Sequence, residues 1–143
     1  MEDDSRQLAA ELRAVIGQLV RTVRAVDTLA PGEADTLGHL DREGPQTTAE
    51  LAQRRAVRHQ TVAKVVMELT AAGLVRGEPH PTDGRKLLLH LTPAGQALLK
   101  NERRRRADQL AAAIEDTLTA KQRRELTHCV ALLSELANHL NGK

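Results

Sequence analysis

The sequence predicts a mainly α-helical fold with one small β-hairpin, an α+β arrangement, and three observations lead to it. Two amphipathic helices of unequal length follow closely on one another between Thr47 and Arg76. A turn-rich stretch between two short apolar segments continues from there to Leu91. Long amphipathic helices precede and follow this centre. The order helix, helix, hairpin predicts a winged helix-turn-helix with helices at both flanks.

The helix-turn-helix begins at Thr47, which with Glu50 has the spacing of a capping box. A short helix is expected there, with Leu51 and Ala52 facing inward. A longer helix follows a tight connection, and Gly73 is expected to end it in a left-handed conformation. Its apolar residues recur at helical spacing: Val62, Val65, Val66 and Leu69. In such a motif the second helix enters the DNA major groove.

The hairpin is indicated by the segment PHPTDG at residues 79–84, which is rich in turn-forming residues. A strand is expected to start at Leu74 and Val75. After the turn, the leucines at 87, 89 and 91 alternate with residues 86, 88 and 90, and this predicts a half-buried strand. Two strands joined by a polar turn directly after a helix-turn-helix form a wing.

The flanking helices are predicted at residues 5–26 and 92–140, around a DNA-binding lobe at 28–91, all within a single domain of residues 1–143. Pro31 starts a helix to about Asp41 inside the lobe, and Thr92 with Pro93 starts another to about Leu118. Thr119 and Gln122 form a capping box for the last helix. The outer helices would expose apolar stripes unless a second copy covers them, so a twofold homodimer is expected.

The composition excludes several classes of protein. The chain has no Phe, Tyr or Trp, so it offers no ring on which a single-stranded base could stack. Its single cysteine cannot form an internal disulfide, and no cysteine cluster suits zinc. No apolar run reaches the roughly 18 residues of a membrane span, and the acidic start (Glu2, Asp3, Asp4) is unlike a signal peptide. A cytoplasmic protein without a membrane partner is expected.

Positive charge is concentrated in the centre of the chain. The segment from Leu51 to Lys86 contains seven Lys or Arg but only three Asp or Glu, whereas the whole chain carries a net charge of only +2. A basic centre in a nearly neutral chain is typical of a surface that binds double-stranded DNA.

The whole pattern resembles the MarR family of transcriptional regulators. The resemblance covers nearly the whole chain and is densest in ELAQRRAVRHQTVAKVVMELTAAGLV, in the wing with Asp83 and Arg85, and in LTPAG at 91–95. It implies a homodimeric DNA-binding protein, usually a repressor, with a palindromic operator. In many members a small, often phenolic or anionic effector binds between the dimerisation helices and the DNA-binding lobe and releases the operator.

The resemblance also implies roles for residues in the DNA-binding lobe. It places Arg85 in the minor groove, which suits an arginine on a hairpin tip, with Asp83 as its local organiser. Gln60 is suited to an adenine edge, whereas Lys64 and Arg58 are suited to phosphates. The predicted DNA-binding residues are Arg58, His59, Gln60, Thr61, Lys64, Asp83, Arg85 and Lys86.

Some roles stay open at this stage. His59 contacts either a base or a phosphate, and Thr61 faces either the first helix of the motif or a phosphate. Two departures from the family pattern are Arg58, where Ser often caps the recognition helix, and Gly77, where Arg is common. The lack of aromatic residues also departs from a pocket that stacks on a ring-shaped effector.

Other residues have a plain interpretation beside a sharper one. Cys129 is expected to pack between dimer helices rather than to sense oxidation. His39, His128 and His139 are expected to bind no metal, because no acidic or thiol companion completes a ligand set. The run Arg103–Arg106 is expected to be a solvated segment, with a phosphate contact or an ion pair between subunits as the alternative.

The function expected from these observations is regulation of transcription, with no catalytic residue and no cofactor. A winged helix that binds proteins without reading DNA is the alternative, and the basic wing argues against it.

Overall fold

The computed structural model describes residues 1–142 and contains six helices and one two-stranded sheet in that range. The elements are α1 (Glu2–Arg24), α2 (Pro31–Glu43), α3 (Thr48–Arg55), α4 (His59–Ala71), β1 (Val75–Pro79), β2 (Leu87–Leu91), α5 (Pro93–Thr117) and α6 (Ala120–Asn141). Residues 1–106 form one compact unit, and a second unit begins at Ala107. The predicted fold class, a mainly helical winged helix-turn-helix, is confirmed. None of the helices described within residues 1–142 combines the length and the apolar character needed to cross a membrane.

The helix-turn-helix follows the predicted local signals, with one correction. Thr47 Oγ1 accepts a hydrogen bond from the backbone N–H of Glu50 at 3.2 Å. The reciprocal half of the predicted capping box is missing, because the Glu50 carboxylate accepts from the Thr47 hydroxyl at 3.1 Å instead. Gly73 lies just beyond α4 with φ +75°, as predicted. The turn between α3 and α4 contains Ala56 at φ 51°, a left-handed conformation that a non-glycine residue rarely adopts.

The core of the first unit is entirely aliphatic and joins α2, α3, α4, both strands and α5. Its buried members are Leu37, Leu40, Leu51, Ala52, Val62, Leu69, Val75, Leu89 and Leu99. The inward faces predicted for α3 and α4 are therefore correct at Leu51, Ala52, Val62 and Leu69. The core fixes the recognition helix and the wing on one scaffold.

The wing is an antiparallel hairpin with Val75 opposite Leu91 and Pro79 opposite Leu87. Leu89 is buried, but Leu87 is exposed, so the predicted alternation fails at the first leucine of β2. Leu87 lies outside the core and packs over Gly77. A Cβ atom added at Gly77 would lie 3.3 Å from Leu87 Cδ1.

The start of α5 is held tightly against the end of the helix-turn-helix. Thr92 caps α5 by accepting from the Gly95 N–H at 3.0 Å, as predicted, and its hydroxyl donates to the Gly73 carbonyl at 2.6 Å. A Cβ on Gly95 would lie 2.1 Å from the Leu74 carbonyl oxygen, so only glycine allows this approach.

Three of the four arginines at 103–106 are exposed, as the sequence suggested, but the segment also forms ion pairs within the chain. Arg103 Nη1 lies 2.8 Å from Asp41, and Arg106 binds Asp27 through two hydrogen bonds of 2.7 and 2.5 Å. Arg105 pairs with Glu102, a buried carboxylate that also accepts from the backbone N–H and the hydroxyl of Thr28. Three of the four arginines therefore fasten α5 to α2 and to the loop before it.

The second unit contains the end of α5 and the whole of α6. Thr119 and Gln122 form the predicted capping box at the start of α6, with both reciprocal hydrogen bonds present. Five large apolar side chains of α6 are exposed in the single chain: Leu126, Val130, Leu132, Leu136 and Leu140. Helix α1 in the first unit is similar, because none of its residues is buried.

Candidate nucleic-acid interface

Helix α4 has one buried side and one exposed side. Val62 and Leu69 are fully buried on the inner side. Gln60, Lys64 and Met67, spaced four and three residues apart, lie together on the opposite side and are exposed. His59 and Thr61 flank this row and are also exposed. The predicted recognition residues of α4 therefore share an accessible surface, and Thr61 does not face the core.

The start of α4 carries positive charge where a helix usually has a side-chain cap. Arg58 is the N-cap residue and makes no side-chain cap hydrogen bond, as expected from the absence of Ser at this position. Its carbonyl accepts from the N–H groups of Thr61 and Val62 at 3.1 and 3.3 Å. The guanidinium therefore does not cap the helix, and Arg58 is exposed.

The tip of the wing holds Arg85 through Asp83. Asp83 Oδ1 accepts from the Arg85 backbone N–H at 3.2 Å and from its Nε at 3.3 Å. The Arg85 side chain is nevertheless 93% exposed. Asp83 therefore contacts an accessible guanidinium without burying it, and its role in organising Arg85 for DNA stays a prediction.

The base of the wing is fixed by a residue that the sequence did not single out. Gln46 forms a bridge with Leu89: its N–H donates to the Leu89 carbonyl at 3.3 Å, and its carbonyl accepts from the Leu89 N–H at 2.8 Å. Its buried side-chain amide donates to the carbonyls of His39 and Gly44 at 3.2 and 3.3 Å. Gln46 thus ties the end of α2 to β2. A lone residue that pairs with a strand has no periodicity, so sequence patterns could not reveal it.

The helix-turn-helix and the wing border a common surface depression of about 330 Å³. Its lining residues are Thr47, Thr48, Ala49, His59, Arg85, Lys86 and Leu87. It brings His59 on α4 together with Arg85 and Lys86 on the wing, residues more than 20 positions apart in the chain. The two predicted halves of the interface are therefore neighbours in space.

Two of the other basic residues in the central region are already paired with carboxylates within the chain. Arg54 lies 3.4 Å from Glu43, and Arg76 lies 3.3 Å from Glu78. The hydrogen bond from His90, with a smaller effect of Arg76, holds the pKa of Glu78 below its usual value. Arg58, Lys64 and Lys86 form no salt bridge within residues 1–142. These three residues therefore leave positive charge that no carboxylate of the described chain neutralises on α4 and the wing.

Three relatives align with this chain over at least 95% of its length. A model of the MarR family matches residues 27–86, which contain α2, α3, α4, β1 and the turn of the wing. An HTH-type transcriptional regulator of Mycobacterium leprae is 32% identical over 139 residues, which cover 95% of this chain and 96% of that protein. This chain belongs to the MarR family. It is a DNA-binding transcriptional regulator.

Other MarR-like proteins extend the comparison. The HTH-type transcriptional repressor NicR of Pseudomonas putida is 42% identical over 64 residues, which are 45% of this chain and 40% of NicR. A transcriptional regulator from Pseudomonas aeruginosa superposes with a TM-score of 0.83 at 28% identity, over 95% of this chain and 96% of that one. The regulator PcaV from Streptomyces coelicolor, solved with its natural ligand, has a TM-score of 0.54 at 25% identity over 91% of each chain.

Three of the residues considered for metal or redox chemistry lie on α6, in the second unit. His128, Cys129 and His139 are exposed on α6. His39 lies in α2, where burial, with a smaller effect of Arg42, lowers its pKa. No group of three or more His, Cys, Asp or Glu side chains suited to a metal is present within residues 1–142.

Proposed function

We propose that this MarR-family chain acts in the cytoplasm as a homodimeric repressor, which reads a palindromic operator and is released from it by a small-molecule effector. It would act by binding alone, without a catalytic step. The observation that carries the proposal is the accessible surface formed by α4 and the wing, which carries the exposed basic residues Arg58, Lys64, Arg85 and Lys86.

The DNA contacts follow from the chemistry of that surface. Gln60 is exposed on α4 and can exchange two hydrogen bonds with an adenine edge in the major groove. Lys64, Arg58 and Lys86 supply positive charge for phosphates, and His59 and Thr61 flank the same row. Arg85, held by Asp83 at the wing tip, suits the negative potential of a narrow minor groove.

The homodimer is supported by the apolar side chains that the single chain leaves in water. On α6 the exposed residues Leu126, Val130, Leu136 and Leu140 recur at steps of four or six and form one stripe. On α1 the exposed apolar residues are Leu8, Val15, Ile16, Leu19 and Val20. Continuous apolar faces of this length on a DNA-binding chain favour burial against a second copy.

Repression and release by an effector are supported by relatives alone. NicR, which matches 45% of this chain, is named a repressor, and PcaV was solved with its natural ligand. An effector of this chain would be held by aliphatic and polar contacts, because the chain has no aromatic ring on which to stack it.

Selection of bound duplexes from a random library tests the proposal directly. We expect a palindrome whose half-sites are centred about 34 Å, or one helical turn, apart, because a twofold dimer presents two copies of α4 to one duplex. Selection of an asymmetric site would contradict the homodimer. Recovery of no preferred sequence at low salt would favour the alternative, a winged helix that binds proteins without reading DNA.

A further inference from the structure

Met67 is the one large apolar side chain on the exposed side of α4. Its exposure is 72%, the second largest among the exposed large apolar residues described in residues 1–142, after the terminal Met1. It follows Gln60 by seven residues and Lys64 by three, so the three side chains project from the same side of the helix. The other residues on this side, Ala63 and Ala71, are small.

The spacing of this row matches that of a helix lying along a groove. In the homeodomain form of the helix-turn-helix, the base-contacting residues of the recognition helix are spaced i, i+3, i+4 and i+7. Gln60, Ala63, Lys64 and Met67 have this spacing. Seven residues of α-helix rise by about 10 Å. Successive base pairs are about 3.4 Å apart, so on a helix lying along the groove Met67 would lie about three base pairs further on than Gln60.

An exposed thioether side chain makes few favourable contacts with phosphates or with polar base edges. The major groove contains one apolar group, the 5-methyl of thymine, which apolar side chains contact in direct readout. A methionine is long and flexible enough to reach such a group, and the small Ala63 does not hinder a close approach of the helix. An isolated exposed apolar residue is common on protein surfaces, but this one lies within the row that faces DNA in the proposed function.

We infer that Met67 reads a thymine in each half-site through the 5-methyl group, about three base pairs from the pair that Gln60 reads. The inference rests on the proposed function, because it requires α4 to lie in the major groove. It adds an apolar determinant of sequence to a set of residues that is otherwise polar or charged.

The test removes the methyl group without changing any base-pairing edge. The probe is the duplex that the wild-type protein selects, with each thymine replaced in turn by deoxyuridine. Wild-type protein should lose about three- to fivefold in affinity per half-site at one thymine position. Met67→Ala should bind the thymine and deoxyuridine duplexes equally at that position, and Met67→Leu should keep the penalty. Gln60→Ala, altered on the same row, should keep the penalty as well.

The outcomes separate this inference from the proposed function. If wild-type protein binds every single-deoxyuridine duplex as tightly as the parent, Met67 does not read a methyl group. If Met67→Ala keeps the same penalty as wild type, another residue reads it. In both cases the operator is still bound, so the proposed function stands while the inference falls. If wild-type protein prefers no duplex, the proposed function fails first and the inference fails with it.

Discussion

Asp27 and Arg106 form an ion pair with two hydrogen bonds, from Arg106 Nε to Oδ1 at 2.7 Å and from Nη2 to Oδ2 at 2.5 Å. Only 6% of the Asp27 side chain is exposed. The hydrogen bond from Arg106 holds the pKa of Asp27 below its ordinary 3.8, against the opposing effect of burial. Because the pKa is lowered, the ion pair stabilises the fold fully at pH values above 3.8. This contribution to stability is lost as the pH falls through the lowered pKa of Asp27.

Asp27→Asn should therefore lower the free energy of unfolding by about 1–3 kcal/mol at pH 7. Urea unfolding from pH 7 to pH 3 should show a constant difference from wild type above about pH 5, which shrinks below about pH 4. Asp35→Asn is the matched control, because its partner Arg24 lies 3.2 Å away in a pair that is more than a third exposed on both sides. It should cost less than about 1 kcal/mol. An Asp27→Asn effect of the same size at pH 3 as at pH 7 would refute this account.

Gly95→Ala should destabilise the first unit by about 1–3 kcal/mol, because the new methyl group would lie 2.1 Å from the Leu74 carbonyl oxygen and α5 would have to move. Gly84→Ala is a control on the wing, where nothing lies within 4 Å of the added carbon. Thermal unfolding followed by circular dichroism measures both. Equal melting temperatures for the two variants would show that α5 can shift away from the Leu74 carbonyl without a measurable loss of stability.

Asp83→Ala gives opposite results under two explanations of the wing. Removing a negative charge beside phosphates should strengthen binding if only charge matters. If Asp83 positions Arg85 through the hydrogen bonds of 3.2 and 3.3 Å, affinity should fall instead. We expect a fall, smaller than the roughly tenfold to hundredfold reduction for Arg85→Ala. Fluorescence anisotropy with a labelled operator measures each variant.

Arg76→Ala is the matched control for Arg85→Ala, because it removes the same charge from the same hairpin, but from strand β1 at the base rather than from the tip. Its effect on operator affinity should be clearly smaller. A tighter complex with Asp83→Ala would reject the positioning role.

Gln60→Ala and Lys64→Ala should separate recognition of the base sequence from electrostatic attraction to phosphates. Lys64→Ala should weaken all duplexes alike and make the slope of log affinity against log salt shallower by about 0.9 for each phosphate that the lysine neutralises. Gln60→Ala should leave that slope unchanged and relax the preference at one base pair of each half-site by about 1–3 kcal/mol. Binding to operator and to scrambled duplexes at salt concentrations from about 50 to about 300 mM distinguishes them. An unchanged base preference in Gln60→Ala would show that Gln60 does not read the operator.

Leu136→Glu should prevent dimer formation, because the residue is 52% exposed in the single chain and lies in the apolar stripe of α6. A buried, unpaired carboxylate would cost several kcal/mol at such an interface. Light scattering after size exclusion should give the monomer mass for this variant and the dimer mass for wild type. Ala131→Glu, five residues earlier and on the other side of α6, should remain dimeric. A dimeric Leu136→Glu would place the interface elsewhere.

The sequence predicted the fold where its signals are local. The apolar spacing of α4, Gly73 at φ +75° and the Thr92 cap of α5 each follow from one short segment, and the structure confirms all three. The sequence did not predict the ion pairs of Arg103 with Asp41 and of Arg106 with Asp27. Their partners lie 62 and 79 residues away in the chain. Four consecutive arginines point all round a helix, so their order along the chain does not indicate which of them are paired.

The candidate site was predictable in its composition but not in its arrangement. The residue types of α4 and the wing indicate DNA, whereas the neighbourhood of His59 and Arg85 depends on the packing of the hairpin against the helices. Met67 was overlooked because a methionine at helical spacing is ordinarily assigned to the core. Its exposure, known only from the structure, separates it from Val62 and Leu69.

The bridge between Gln46 and Leu89 has a mechanical consequence for the wing. The base of the hairpin is hydrogen-bonded on both edges of β2, whereas the tip beyond Pro79 is held by the turn contacts of His80, Asp83 and Lys86. Amide protons should therefore exchange slowly at Leu89 and rapidly at the tip. A wing with a firmly held base and a more mobile tip would let Arg85 follow minor grooves of different width. We therefore expect the protein to tolerate sequence changes at the outer edges of the operator and to require particular bases beneath α4.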